Sequence, residues 1–190
     1  MKDPLVFDTS SLINFTKFYY FDKYNEKIIY DTLIKFLISK IQKKEIRIID
    51  KVYDIEWFET RYNKEIRDKI KDDDIIKTKF LISDVQDLIK NYKDEENIRL
   101  LRWTDEQIDL ELNDYESGKI ADLYLIAYCK NLKNNGEKPI LITEETRKND
   151  GKIIKKIPTI CGNEGIRYEN LPYSLFEIYK NELKFNLTAV

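Results

Sequence analysis

The stretch LVFDTSS, residues 5–11, decides the fold of this chain, because a short apolar run ends abruptly on a carboxylate followed by three hydroxyl side chains. An apolar run of this length is typical of a fully buried strand. Asp8, Thr9 and Ser10 are all good helix N-caps. The stretch therefore predicts a strand that passes directly into a helix.

The same alternation continues along the chain. After the strand at 5–8, we predict strands at 46–50 (IRIID) and 138–145 (KPILITEE), with 156–162 (KIPTICG) and 166–171 (IRYENL) as two further edge segments. Helices are predicted at 9–21, 25–45, 52–70, 75–102 with a break near Asp94, 104–118 closed by Gly118, 119–136 and 172–183. Strands separated by long helices predict an α/β protein with a parallel, doubly wound sheet in one domain, residues 1–190.

Composition limits what this domain can be. The chain has 190 residues, of which 42% are hydrophobic and 36% are charged, so it has the composition of one globular domain. It has no apolar signal core and no apolar stretch near the roughly 18 residues that span a bilayer, so we expect a cytoplasmic protein. Cys129 and Cys161 lack a CxxC pairing and are expected to be reduced packing residues.

The chain contains no histidine. Ser-His-Asp and Cys-His relays, histidine-based ribonuclease mechanisms and histidine-ligated zinc are therefore excluded. The phosphate-binding patterns GxxxxGK[ST] and GxGxxG are absent as well. Any chemistry must use carboxylates, hydroxyls, lysines or a hard metal ion.

Acidic residues stand where the predicted strands end. In a parallel α/β sheet, ligands bind in the crevice outside the carboxyl ends of the strands. The acids at this edge are Asp8 after the first strand, Asp54 and Glu56 in the helix after the second, Asp122 in the first turn of a buried helix, and Glu144 and Glu145 at the end of the third strand. Four acidic positions would then converge on one crevice.

Such a cluster is not stable fully ionised, because carboxylates at short range raise one another's pKa. A divalent cation removes the conflict, and oxygen-only ligation is what Mg²⁺ or Mn²⁺ prefers. Each acid alone also has a structural explanation as a helix cap, a first-turn acid, a turn residue or a surface residue. The metal-site hypothesis therefore rests on the predicted position of all these acids at one edge of the sheet.

Three motifs, LVFDTSSLI, ADLYLIAYC and ILITEE followed by KKIPTICGNEGI, resemble those of PIN-domain ribonucleases, in particular a PIN-like branch found as toxins of bacterial toxin-antitoxin pairs. The motifs are short, but they span nearly the whole chain in order. The resemblance implies a single-domain PIN-like fold with a small parallel sheet flanked by helices. It also implies a ribonuclease with three or four acids around Mg²⁺ or Mn²⁺.

Position by position, the resemblance implies a catalytic set of Asp8, Glu56, Asp122 and Glu145, in which Asp8, Asp122 and Glu145 hold the metal, with Ser10, Thr143, Asp54 and Glu144 in support. Glu56 is preferred over Asp54 as the helix acid, and Asp54 stays open. The Thr-x-acid pattern selects Thr143 and Glu145 over Glu144, and side-chain alternation in an extended segment places Glu144 on the other face. A glutamate at this position departs from the family's common aspartate.

Two segments of opposite charge indicate which partners the protein would bind. Residues 138–168 carry seven Lys or Arg (138, 147, 148, 152, 155, 156, 167) against four acids, which suits tracking of an RNA backbone. Residues 104–117 carry six acids and no basic residue. They are interpreted as a solvated helix face built on Ile108, Leu112 and Tyr115, or else as a docking surface for a basic antitoxin segment. The expected partners are RNA and an antitoxin protein, with a homodimer left open and no membrane.

Two other functions remain open. A phosphatase of the haloacid-dehalogenase type would use Asp8 as a nucleophile, but that family needs a second Asp two residues on, where this chain has Ser10. The other alternative is a non-catalytic PIN-like interaction domain.

Overall fold

The computed structural model describes residues 3–17, 27–57, 64–146 and 153–182. Within these ranges, four strands form one parallel sheet in the order β2-β1-β3-β4. They are β1 Leu5–Phe7, β2 Ile46–Arg47, β3 Ile140–Ile142 and β4 Arg167–Glu169. Every residue of β1 and β3 is buried, as expected for central parallel strands covered on both faces. The predicted α/β class is confirmed.

The helices cover both faces of this sheet, as the strand connections require. The α-helices are α1 Thr9–Lys17, α2 Lys27–Gln42, α3 Lys64–Arg67, α4 Ile82–Tyr92, α5 Glu95–Leu101, α6 Asp105–Ser117, α7 Asp122–Asn134, α8 Ile157–Glu164 and α9 Leu171–Tyr173. Two π-helices, Lys51–Glu56 and Ser174–Ile178, and two 3₁₀ turns, Asp72–Asp74 and Lys79–Leu81, complete the described elements. Residues 18–21, 25–26, 58–63 and 183 of the predicted helices lie outside the described residues.

Several predicted boundaries are confirmed by identifiable caps. The break near Asp94 is real, because the Asp94 carboxylate accepts a hydrogen bond from the Asn97 N–H at 3.1 Å and starts α5. Gly118 ends α6 with φ +78°, which is a left-handed conformation that glycine adopts without strain. Ile108 and Tyr115 are the buried residues of α6, as its apolar spacing predicts.

Two predicted segments are wrong. Residues 156–162 do not form an edge strand but lie almost wholly in α8, because Ile157, Ile160 and Cys161 recur at helical spacing and are all buried, while Pro158 suits a helix start. The predicted helix at 75–102 begins only near residue 79. Ile76 instead pairs with Ile49 in an isolated parallel bridge. The second proposed edge segment, 166–171, does supply β4.

The chain order in the sheet creates one distinctive position. From β1 the chain moves to β2 on one side and then crosses back to β3 on the other side of β1. Strand connections therefore diverge between β1 and β3, and their carboxyl ends flank a crevice, which is where open α/β sheets bind ligands. Asp8 follows β1 and Thr143 follows β3, so these two residues meet at this switch point.

The buried helix α7 lies beside this crevice. Its residues from Leu123 to Cys129 are all buried, and its first residue is Asp122. Cys129 and Cys161 are free thiols inside the core, as predicted. None of the helices in the described ranges is long and apolar enough to cross a membrane.

Candidate functional site

Asp8 is the central residue of the site. Its backbone N–H donates to the Ile142 carbonyl at 3.0 Å, which continues the β1–β3 pairing by one residue. Its side chain is 5% exposed, and Oδ2 accepts hydrogen bonds from Ser10 Oγ at 2.6 Å and from Thr143 Oγ1 at 2.9 Å. The structure therefore holds a buried carboxylate between the ends of the two central strands.

Burial raises the pKa of Asp8, because the charged form loses its hydration. Hydrogen bonds from Ser10, Thr143 and the backbone of Thr9 and Ser10 lower the pKa and offset part of this effect. Among the described residues, no ammonium or guanidinium group pairs with Asp8. Within the described residues, Asp8 is therefore held by hydroxyl and backbone donors and not by a cationic side chain.

The two hydroxyls beside Asp8 are oriented by the backbone after β3. Ser10 Oγ accepts from the Glu144 N–H at 3.3 Å, and Thr143 Oγ1 accepts from the Glu145 N–H at 3.2 Å. With these acceptor positions filled, both hydroxyl protons point at Asp8. Ser10 and Thr143 therefore both contact the Asp8 carboxylate directly, and the supporting role that the PIN resemblance implies for them stays a prediction.

Glu56 is the last residue of the π-helix Lys51–Glu56 and is half-buried. Its Oε1 accepts from the Ala121 N–H at 2.9 Å, and its Oε2 accepts from the Thr9 hydroxyl. Thr9 follows Asp8 and Ala121 precedes Asp122, so Glu56 sits between the two chain segments that carry these aspartates. By contrast, Asp54 is exposed and lies near Lys77.

Carboxylates of the candidate site act electrostatically on a buried tyrosine, which sequence reasoning placed only on the apolar face of its helix. Tyr115, on α6, is 2% exposed. Burial raises the pKa of its phenol, and nearby carboxylates raise it further. These carboxylates belong to Asp122, Glu111 and Glu145. Asp122 at the start of α7 and Glu145 after β3 therefore both act electrostatically on the same buried phenol.

Glu144 and Glu145 diverge. Glu144 Oε1 accepts from the Leu171 N–H at 2.8 Å at the start of α9, whereas Glu145 Oε2 accepts from the Ile157 N–H at 3.2 Å at the start of α8. Both side chains are half-buried, so neither is a solvated turn residue. Of these two glutamates, Glu145 is the one among the carboxylates that raise the pKa of Tyr115, together with Asp122.

The chemistry of these residues fits a hard cation. The donors at Asp8, Asp122 and Glu145 are carboxylate oxygens, joined by hydroxyls, and buried Asp8 lacks a basic partner in the described residues. In those same residues, no three His, Cys, Asp or Glu side chains are gathered into a group that could hold a metal ion. Glu145 is instead engaged by the start of α8, so holding an ion would require its side chain to leave the Ile157 N–H.

The basic segment 138–168 is only partly at this crevice. Exposed Lys138 precedes β3 and Arg167 begins β4, so both lie at the amino edge of the sheet, away from Asp8. Lys155 and Lys156 directly precede α8, whose first N–H contacts Glu145. Arg147, Lys148 and Lys152 lie outside the described residues. Of the described cations in this segment, Lys155 and Lys156 are therefore the two that directly precede a residue in contact with Glu145.

Fold and site together define a parallel α/β protein with a buried carboxylate at its topological switch point. The chain belongs to the family described as Domain of unknown function (DUF4411), whose model matches residues 5–181. No curated protein and no solved structure matches the chain.

The raised pKa of Asp8 predicts a pH-dependent effect of its neutralisation. The folded chain binds the Asp8 proton more tightly than the unfolded chain, so the associated stability is full below the unfolded pKa and is lost as pH rises through the folded pKa. Asp8→Asn should therefore raise the melting temperature at neutral pH in EDTA, since an amide oxygen still accepts from Ser10 and Thr143. The gain should shrink on acidification. A gain that grew towards acid pH would contradict the assignment.

Proposed function

We propose that the protein is a Mg²⁺- or Mn²⁺-dependent endoribonuclease with a PIN-like fold that acts as the toxin of a toxin-antitoxin pair. The observation that supports this most is the buried Asp8 carboxylate at the β1–β3 switch point, held by two hydroxyls with no basic partner among the described residues. A buried carboxylate is costly unless a proton or a bound cation neutralises it, and a cation is the neutralisation that would give the site a chemical role.

Asp8, Asp122 and Glu145 would hold the ion. When bound, such an ion supplies an activated water and stabilises negative charge developing on a phosphodiester. The residues of the chain then have separate tasks. Ser10 and Thr143 orient Asp8 through their hydroxyl groups, while Asp122 and Glu145 would supply the further carboxylate ligands.

This arrangement suits hydrolysis that leaves a 5′-phosphate, which the PIN resemblance implies. Such hydrolysis needs neither a 2′-hydroxyl nucleophile nor a histidine, and the chain has no histidine. Lys155 and Lys156, ahead of α8, would contact RNA phosphates that approach the crevice, with Lys155 leaving its 3.9 Å ion pair with Asp94. Both are half-buried, so their aliphatic stems are already packed.

The partner and location are part of the same proposal. Helix α6 presents six acids and an exposed Leu110, which complements a basic antitoxin segment. The free, buried thiols of Cys129 and Cys161 fit the reducing cytoplasm, where such a toxin would meet its RNA.

Purified protein should cleave single-stranded RNA in Mg²⁺ or Mn²⁺ and lose this activity in EDTA, measured with a 5′-labelled RNA on a denaturing gel. Asp8→Asn and Asp122→Asn should each reduce the rate at least about 100-fold, as expected when a metal ligand is removed. Both variants should remain folded by far-UV circular dichroism. Robust cleavage in chelator, or full activity in both variants, would refute the proposal.

The two glutamates after β3 provide a matched pair of variants. Glu145→Gln should weaken Mn²⁺ affinity, measured by isothermal titration calorimetry, by about tenfold or more, because an amide is a poorer ligand for a hard cation. Glu144→Gln should leave affinity unchanged and stability within about 0.5 kcal/mol, since its amide oxygen still accepts from the Leu171 N–H. Weakening confined to the Glu144 variant would show that the wrong glutamate has been assigned to the site.

A further inference from the structure

The hydroxyl of Thr9 makes a contact that helix capping does not explain. A capping hydroxyl accepts a hydrogen bond from a backbone N–H at the helix start. Here the Asp8 carboxylate already accepts from the backbone of Thr9 and Ser10 at the start of α1. Thr9 Oγ1 instead donates to Glu56 Oε2, and Thr9 is only 9% exposed. The contact joins residues 47 positions apart in the sequence.

The second oxygen of Glu56 extends this link to a third segment. Oε1 accepts from the Ala121 N–H at 2.9 Å, across 65 positions of sequence. A single carboxylate therefore bridges the residue after Asp8 and the residue before Asp122. Hydrogen bonds to a carboxylate are stronger than those between neutral groups, so this bridge restrains both segments.

The π-helix that carries Glu56 is itself anchored at both ends. At its start, the Asp50 carboxylate accepts from the Lys51 N–H at 2.9 Å and from the Thr78 N–H at 3.2 Å. At its end, the N–H of fully buried Trp57 donates to the Val52 carbonyl at 2.8 Å, a π-type bond. π-turns are rare and occur often at functional sites. We interpret this one by its effect on the orientation of the Glu56 side chain, which its last residue carries.

We propose that Thr9 is a positioning residue that, through Glu56, sets the spacing of the Asp8 and Asp122 carboxylates for cation binding. The inference rests on the proposed metal site. Thr9 does not touch the cation, and its hydroxyl acts only by orienting Glu56. Removing the hydroxyl should therefore weaken cation binding without unfolding the chain.

The test uses Thr9→Val, which keeps the shape of the side chain but removes the hydroxyl, and Thr9→Ser, which keeps the hydroxyl. Mn²⁺ affinity is measured from the electron paramagnetic resonance signal of free Mn²⁺. Loss of one hydrogen bond to a charged group should weaken affinity about tenfold in Thr9→Val, whereas Thr9→Ser should stay within about twofold of wild type. Thr9→Ala repeats the comparison should Thr9→Val fail to fold.

A double-mutant cycle tests the route through Glu56. In a Glu56→Ala background, Thr9→Val should cause no further loss of Mn²⁺ affinity, because the partner of the hydroxyl is already gone. Full affinity in folded Thr9→Val, or an equal loss with and without Glu56, would overturn the inference alone. Wild-type protein that binds no Mn²⁺ would overturn the proposed function and this inference with it.

Discussion

The hydrogen bond from Thr143 Oγ1 to Asp8 Oδ2, 2.9 Å long and buried, is the interaction on which the site depends. It exists because β1 and β3 pair in parallel with Phe7 opposite Ile142, so the next residue of each strand must meet at the carboxyl edge. The sheet order places this meeting at the switch point, where the chain leaves β1 and β3 towards opposite ends of the sheet. Strand register therefore determines which two side chains face each other. Their burial determines the free-energy cost of keeping the Asp8 carboxylate charged.

The carboxylates around the crevice stabilise helix starts, and some of them also belong to the proposed cation site. Glu144 and Glu145 stabilise the starts of α9 and α8 by accepting their first N–H groups, which is a favourable use of a carboxylate at a helix N-terminus. Asp8 also accepts from the backbone at the start of α1, but it is buried and its pKa is raised, a cost that a capping carboxylate at the surface would avoid. A cation at this site would turn the unfavourable burial of Asp8 into an attraction, which is the physical reason for proposing catalysis rather than capping.

Much of the fold could be predicted because its signals are local. Each of these signals lies within one element. They are the apolar run before Asp8, the helical spacing of Ile108 and Tyr115, and the glycine C-cap at Gly118. Non-local features could not be predicted. The preference for Glu56 over Asp54 came from a family resemblance, while the Thr9 and Ala121 contacts of Glu56 depend on segments 47 and 65 positions away. The strand expected at 156–162 is wrong because β-branched apolar residues suit both structures, and only the burial of Ile157, Ile160 and Cys161 along one helix face decides between them.

The central claim is that the carboxyl edge between β1 and β3 binds a divalent cation. Crystals soaked in Mn²⁺ and measured at the manganese absorption edge test it most directly, because anomalous scattering locates the ion without any assumption about activity. We expect one or two anomalous peaks bounded by the carboxylates of Asp8, Asp122 and Glu145, with the Glu145 side chain moved off the Ile157 N–H. Manganese found only on the acidic face of α6, or no ordered manganese beside Asp8, would contradict it.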